Sequence, residues 1–309
     1  MLSRVAERVF WLARYLERAE DTARLILVRH NAILDLPRPL QPDWDLLLDV
    51  LSAREAFRKK SLAANEKNII SFVFGDRENP SSIASSLTSA RENMRTTREV
   101  LPSEAWERVN SLYLSASRRS GKGLPRASRH ATLNNIIQSC QQVSGMLSGT
   151  MNHDEVYQFV RMGRFVERAD MSTRIVDVGS SDLANFGEEA LPYQNVMWVS
   201  MLQSLSAYQM YRLSVGANVQ PDAVLDFLLH NRQFPRATSY CLAEIEASMR
   251  KLPGSKEPLK VVQSAQRKLR RRSVGELRGD DLHVFLDDMQ LKINDIQRSI
   301  SRNWFTPDR

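Results

Sequence analysis

One stretch of the chain occurs twice, and it limits the fold more than any other feature. Arg14-Tyr15-Leu16-Glu17-Arg18-Ala19-Glu20-Asp21-Thr22-Ala23-Arg24 returns 150 positions later as Arg164-Phe165-Val166-Glu167-Arg168-Ala169-Asp170-Met171-Ser172-Thr173-Arg174, without a gap. Arg14, Glu17, Arg18, Ala19 and Arg24 are identical in the two copies, and Tyr15/Phe165, Glu20/Asp170 and Thr22/Ser172 are conservative changes. Such a match points to a repeated helical unit. Val5, Val9, Leu12, Leu16, Ala19, Ala23 and Ile26 alternate at spacings of four and three, the apolar seam of a helix packed lengthwise on others. Phe159, Met162, Val166, Ala169, Thr173 and Val176 continue that seam in the second copy. At 100° per residue, Arg14, Glu17, Asp21 and Arg24 share one flank of the seam, and Arg18 lies on the other with Trp11 and Thr22.

Two roles fit the Glu-Arg pair. One is ion pairing along the helix surface, at about 0.2–0.5 kcal/mol per pair. The other is a half-buried network between the copies, Glu17 meeting Arg168 and Glu167 meeting Arg18, which sets register more than it adds stability. The residues of that network are Arg14, Glu17, Arg18, Arg24, Arg164, Glu167, Arg168 and Arg174. Glu17 and Glu167 are also the carboxylates available to a catalytic alternative.

The opening Met1-Leu2-Ser3-Arg4-Val5-Ala6-Glu7-Arg8-Val9-Phe10-Trp11-Leu12-Ala13 and the Glu-Arg segment after it resemble the bacterial alpha-E family, which is named for an all-helical domain with a Glu-Arg motif. The resemblance continues through Asn79-Pro80-Ser81-Ser82-Ile83, Ala90-Arg91-Glu92-Asn93, the second Glu-Arg copy, Phe227-Leu228-Leu229 and Phe234-Pro235-Arg236, and so spans nearly the whole chain. It implies a chain encoded beside, or fused to, circularly permuted ATP-grasp proteins and transglutaminase-like proteins. That setting belongs to a peptide-ligating or peptide-modifying system and does not make this chain an enzyme.

The remaining sequence predicts an all-α fold, a bundle of about a dozen helices. Gly and Pro number only 12 each in 309 residues, which favours long helices with few turns. The chain is expected to form a single domain, 1–309, with a pseudo-repeat of 1–150 and 151–309, although duplication outside the Glu-Arg helices is faint. Helices are expected from Ser3 to about Leu36, stopped by Pro37-Arg38-Pro39, then from Asp43-Trp44-Asp45, and around Glu66–Phe74. Others are expected over about Ser82–Val100 (seam Ile83, Leu87, Ala90, Met94), from Pro102-Ser103-Glu104 to Ser117, and over Ala131–Met151. The second Glu-Arg helix, capped by Asn152-His153-Asp154, should reach about Gly179. After a softer segment, Ser180–Pro192, helices are expected over Tyr193–Val215, from Pro221 to His230, and over Arg236–Leu252, Leu259–Arg271 and Val274–Trp304.

Cys140 and Cys241 sit among apolar residues and read as buried, inert thiols. The histidines His30, His130, His153, His230 and His283 show no metal-ligand spacing, so no metal is expected. No cofactor is expected either. No nucleotide-binding glycine pattern is present, and Gly121-Lys122-Gly123 lacks a preceding strand. The apolar runs fall far short of a membrane span, and the first 30 residues lack the apolar core of a signal peptide, so the cytoplasm is the expected location.

Three further clusters carry charge. Ser81 and Ser82 at a helix start, with Arg91, Arg95 and Arg98 on one face of the helix that follows, form an anion-binding candidate, and Arg236 after Phe234-Pro235 is a separate one that could meet a Glu of the repeated motif. N-capping and internal ion pairs are the simpler explanation. The densest basic run is Arg267, Lys268, Arg270, Arg271 and Arg272. A net charge of +7 favours acidic partners, but the run reads first as a solvated helix end and only secondarily as a nucleic-acid or acidic-surface site. The leading expectation is therefore a non-catalytic or co-catalytic helical subunit serving an ATP-grasp-type peptide or amide ligase. An enzyme using the paired Glu-Arg motifs in a cleft is the alternative.

Overall fold

The computed structural model describes residues 3–35, 43–119, 123–185, 193–277 and 279–306. Fourteen α-helices and no strand occur among them, so the fold is all-α. In chain order they are α1 (Ser3–Asp35), α2 (Leu46–Val50), α3 (Arg54–Arg58), α4 (Glu66–Gly75), α5 (Ile83–Arg95), α6 (Ser103–Ser117) and α7 (Arg126–Thr150). Then follow α8 (Glu155–Asn185), α9 (Gln194–Ser204), α10 (Tyr208–Ser214), α11 (Pro221–His230), α12 (Thr238–Met249), α13 (Lys256–Arg270) and α14 (Asp280–Ile300). The expected stop at Pro37-Arg38-Pro39, Gly121-Lys122 and most of the softer segment after Asn185 lie outside the described residues.

The chain divides into two compact units. The first comprises Met1–Leu27, Trp44–Glu167 and Ser301–Arg309, and the second comprises Val28–Asp43 and Arg168–Ile300. In the first, α2 packs on α3 and α4, and then α4, α5, α6 and α7 each pack on the next. In the second, α9 packs on α10 and α11, and α11 through α14 each pack on the next. The two helix series correspond one to one. Among the described residues the likeness of the two halves therefore extends beyond the Glu-Arg helices to the packing order of both helix series.

The correspondence reaches individual residues. Helices α1 and α8 end 150 positions apart, at Asp35 and Asn185. Beyond them, Trp44, Leu47, Leu48, Leu51, Ser52 and Ala53 match Trp198, Met201, Leu202, Leu205, Ser206 and Ala207 at an offset of 154. Both segments close with the same turn. Ser52 and Ser206 adopt left-handed backbones at φ 50° and 53°, and the Ala53 and Ala207 N–H groups donate back to the Leu48 and Leu202 carbonyls, each at 2.7 Å. This turn breaks the single helix expected over Tyr193–Val215 into α9 and α10, and it adds the unanticipated α3 to the first unit. Neither serine announces it, because a non-glycine left-handed residue is set by tertiary context.

The helix starts follow local chemistry. Asn65 Oδ1 accepts from the Asn68 N–H at 3.0 Å to open α4, and Ser82 Oγ accepts from the Ser85 N–H at 3.0 Å to open α5. Asp154 does the same for α8, accepting from Tyr157 N–H at 3.2 Å. Helix α5 stops at Arg95, short of the expected Val100, and Arg98–Val100 form a 3₁₀ turn. Helix α14 starts later than expected, after Gly279 at φ 53°, and Ser301–Phe305 form a π turn at its end. The predicted seams are buried: Val9, Leu12, Leu16, Ala19, Ala23 and Ile26 in α1, and Phe159, Met162, Val166, Ala169, Thr173 and Val176 in α8. Val5 is half-buried.

Candidate functional site

In the first unit, α1 meets the part of α8 that ends at Glu167, at a point where both side chains are small. A Cβ built on Gly163 lies 2.1 Å from the Phe10 carbonyl oxygen and 3.2 Å from Ala13 Cβ. Ala13 is the residue matched to Gly163 by the 150-position repeat. Only a residue without a side chain permits this approach. Phe305 closes over the contact, 5.3 Å from the Phe10 ring, and Trp304 packs edge-on to Phe159 at 5.7 Å.

One turn further along, the Glu167 carboxylate enters the first unit with 1 % of its side chain exposed. Arg14 Nε donates to Glu167 Oε2 at 2.6 Å. Arg18 donates twice, Nε to Oε1 at 2.5 Å and Nη2 to Oε2 at 3.0 Å. Both guanidiniums rest on aromatic faces, Arg14 over Trp11 at 4.9 Å and Arg18 over Tyr15 at 5.7 Å. The expected pairing of Glu167 with Arg18 is present. The flank assignment separated Arg14 from Arg18, yet both converge on one carboxylate, because the close approach at Gly163 brings Glu167 over the seam.

The other motif residues line the same helix. Glu20 Oε1 accepts from Arg24 at 2.7 Å and from Gln141 Nε2 of α7 at 3.1 Å. Glu17, Glu20 and Asp21 are each 2 % exposed or less. Burial pushes the Cys140 thiol pKa far up, and the charges of Glu20, Glu17 and Asp21 add to the effect. Cys140 is thus the buried, inert thiol expected, and Cys241 is fully buried, as expected. Arg164 donates to the Ser144 carbonyl at 3.3 Å.

In the second unit the repeat keeps one bond and changes another. Arg174 pairs with Asp170 at 3.0 Å, as Arg24 pairs with Glu20. Arg168 donates to the Pro235 carbonyl at 3.4 Å, and Ser172 Oγ donates to the Arg236 carbonyl at 2.8 Å. The Phe234-Pro235-Arg236 corner is therefore held by α8 through its backbone, and Arg236 is 6 % exposed.

Burial alone would raise the Glu167 pKa. Arg14 and Arg18 overcome it and hold the carboxylate at about 2. A carboxylate depressed in the folded state stabilises the fold fully above its unfolded pKa of about 4.3 and loses that contribution as pH falls towards 2. Acid unfolding of the unmutated chain should therefore steepen between about pH 4 and 2, and that segment should flatten in Glu167→Gln when unfolding is followed by circular dichroism across pH. An unchanged acid limb in the variant would contradict the assignment.

The other sequence candidates stand apart from this network. Ser81 N–H donates to Asn79 Oδ1 at 3.0 Å, and Ser82 Oγ caps α5 while donating to the Asp76 carbonyl at 2.5 Å. Arg91 Nε donates to Asn110 at 2.7 Å and lies 4.9 Å over Tyr113, and Arg95 pairs with Glu92 at 2.7 Å. Ser81, Ser82, Arg91 and Arg95 thus have local partners, and Arg236 belongs to the other unit. Arg267, Arg270, Arg271 and Arg272 are exposed at the end of α13, Leu269 is buried, and Lys268 pairs with Asp288. The run is a solvated helix end.

Sequence spacing concealed one cluster. His283, Asp177 and Asp287 present ligand-type atoms within 4.8 Å of one another. His283 Nδ1 lies 2.7 Å from Asp177 Oδ1, and Nε2 lies 3.6 Å from Asp287. Hydrogen bonding to Asp177 raises the imidazole pKa, and the ring lies between the two carboxylates. Asp177 is 106 residues away in sequence, so spacing gave no sign of it.

No described helix is long and apolar enough to cross a membrane. No solved structure matches the chain significantly. Uncharacterized proteins of Mycobacterium bovis and of two Mycobacterium tuberculosis strains are each 22 % identical to it over 322 aligned residues, covering 96 % of the chain and 36 % of the relative. The chain thus spans about a third of the length of these curated relatives. The family model described as a predicted alpha-helical domain with a conserved ER motif matches residues 1–305. The repeated pairs Glu17-Arg18 and Glu167-Arg168 lie within the matched residues, and the chain belongs to the Alpha-E family.

Proposed function

We propose that the chain is a non-catalytic or co-catalytic helical subunit that works with an ATP-grasp-type peptide or amide ligase, with a transglutaminase-like protein as a further partner. The observation that carries the subunit role is the state of Glu167. Its two oxygens are taken by Arg14 and Arg18, and it is held charged in a buried site. A general base needs access to the proton it takes and a pKa near the working pH. Glu167 has neither, so the motif supports assembly of the helices over proton transfer. The ligase partner is inferred from the family's genomic setting. The chain's own sequence carries no phosphate-binding loop, so nucleotide chemistry falls to the partner.

Affinity purification of the tagged chain from its native host tests this. An ATP-dependent ligase-like protein is expected to co-purify with the unmutated chain. Recovery of a well-folded chain alone, repeated after cross-linking, would overturn the subunit role.

A further inference from the structure

A second site lies in the first unit, where α4 and α7 both begin. It is an open pocket of about 720 Å³, within the range of small-molecule sites, walled by Glu66, Lys67, Ile70, Leu124, Arg126 and Arg129. Arg129 is 4 % exposed along its side chain and lies 5.7 Å over the Trp44 ring, so its guanidinium is fixed in the wall. Arg126 is 71 % exposed and reaches across the mouth. Glu66 joins them: Arg126 Nε donates to Oε1 at 2.9 Å while its Nη2 takes Oε2, and Arg129 Nη1 donates to Oε1 at 2.7 Å.

Three features give the pocket a sign. Lys67, Arg126 and Arg129 outweigh Glu66 by two charges. Two helix N-termini converge there, each adding roughly half a positive charge. Helix α7 opens behind Pro125 with no side-chain cap on its first N–H groups. The duplication shows that the fold does not require this. Counting from the helix starts, Lys67, Arg126 and Arg129 correspond to Asp222, Asp280 and His283. The second copy keeps the helices without the basic lining.

We propose that this pocket binds a small organic carboxylate with a short apolar body. The Arg126 fork already holds a planar carboxylate through two parallel bonds, the geometry guanidinium selects. Ile70 and Leu124 supply the apolar wall. The ligand carboxylate takes the Lys67 and Arg126 side of the mouth, and Glu66 competes with it for Arg126.

The test is calorimetric titration at low ionic strength with N-acetyl-leucine, using leucinamide and inorganic phosphate as controls and circular dichroism to verify each fold. N-acetyl-leucine is expected to bind saturably, and leucinamide not at all. Arg126→Ala combined with Lys67→Ala should weaken binding about tenfold or more. Glu66→Gln removes the competing carboxylate and should tighten it, a gain that a merely structural role for Glu66 would not produce. Absence of saturable binding at millimolar N-acetyl-leucine, equal binding of leucinamide, or binding of phosphate alone would each overturn the proposal. So would binding indifferent to the double substitution.

Discussion

Glu167→Ala is expected to lower the unfolding free energy by about 3–5 kcal/mol, measured by urea denaturation followed by circular dichroism. The substitution leaves Arg14, itself 5 % exposed along its side chain, and much of Arg18 as buried cations facing a void. That cost exceeds the value of the pair, because the carboxylate that offsets part of the desolvation of both arginines is gone. Glu167→Gln keeps the volume and one acceptor, so its loss should be smaller though still clear. An exposed pair supplies the contrast. Lys59 and Glu55 are 75 % and 84 % exposed, and Lys59→Ala should leave stability essentially unchanged. Equal effects at Lys59 and Glu167 would mean that the Glu-Arg motif is surface decoration.

Gly163→Ala is the second large effect, expected to cost about 3 kcal/mol despite the gain in helix propensity. The new Cβ would meet the Phe10 carbonyl oxygen at 2.1 Å and its carbon at 3.0 Å. Both are backbone atoms of α1, so no rotamer change relieves the clash and the helices must separate. Separation also draws Glu167 away from Arg14 and Arg18, one turn along. Gly145→Ala, inside α7 with nothing within 4 Å of its Cβ, is the control. There the same change should stabilise by up to about 1 kcal/mol. Opposite signs at two helical glycines identify the crossing. Like signs would remove it from the account.

The repeated motif and its helical phase anticipate two matched helices and their buried seams, and they offer the Arg18–Glu167 pair as one of two readings. They were not enough for Arg14. It lies on the opposite flank and reaches the same carboxylate only because Gly163 and Ala13 bring the helices together. Gly163 was visible in the sequence, but a glycine inside a helix carries no mark of what lies against it. The further likeness between the two halves is masked in the sequence for a different reason. Its offset changes from 150 at Asp35/Asn185 to 154 at Trp44/Trp198, so a comparison kept in register with the Glu-Arg motif passes over it. The basic pocket lay further beyond reach, since Glu66 stands 60 and 63 residues from Arg126 and Arg129. The break at Ser206 was hidden too, because its helix-like surroundings gave no breaker residue until Gly216.

The clamp itself is tested most directly by a double-mutant cycle on Arg18 and Glu167. Unfolding free energies are measured for Arg18→Ala, Glu167→Ala and the double variant. A bond made in the folded chain predicts that the double variant loses less than the sum of the singles, with a coupling of about 1–3 kcal/mol. Single losses that add to within about 0.5 kcal/mol would show that Arg18 and Glu167 do not hold each other, and the Glu-Arg motif would need another purpose.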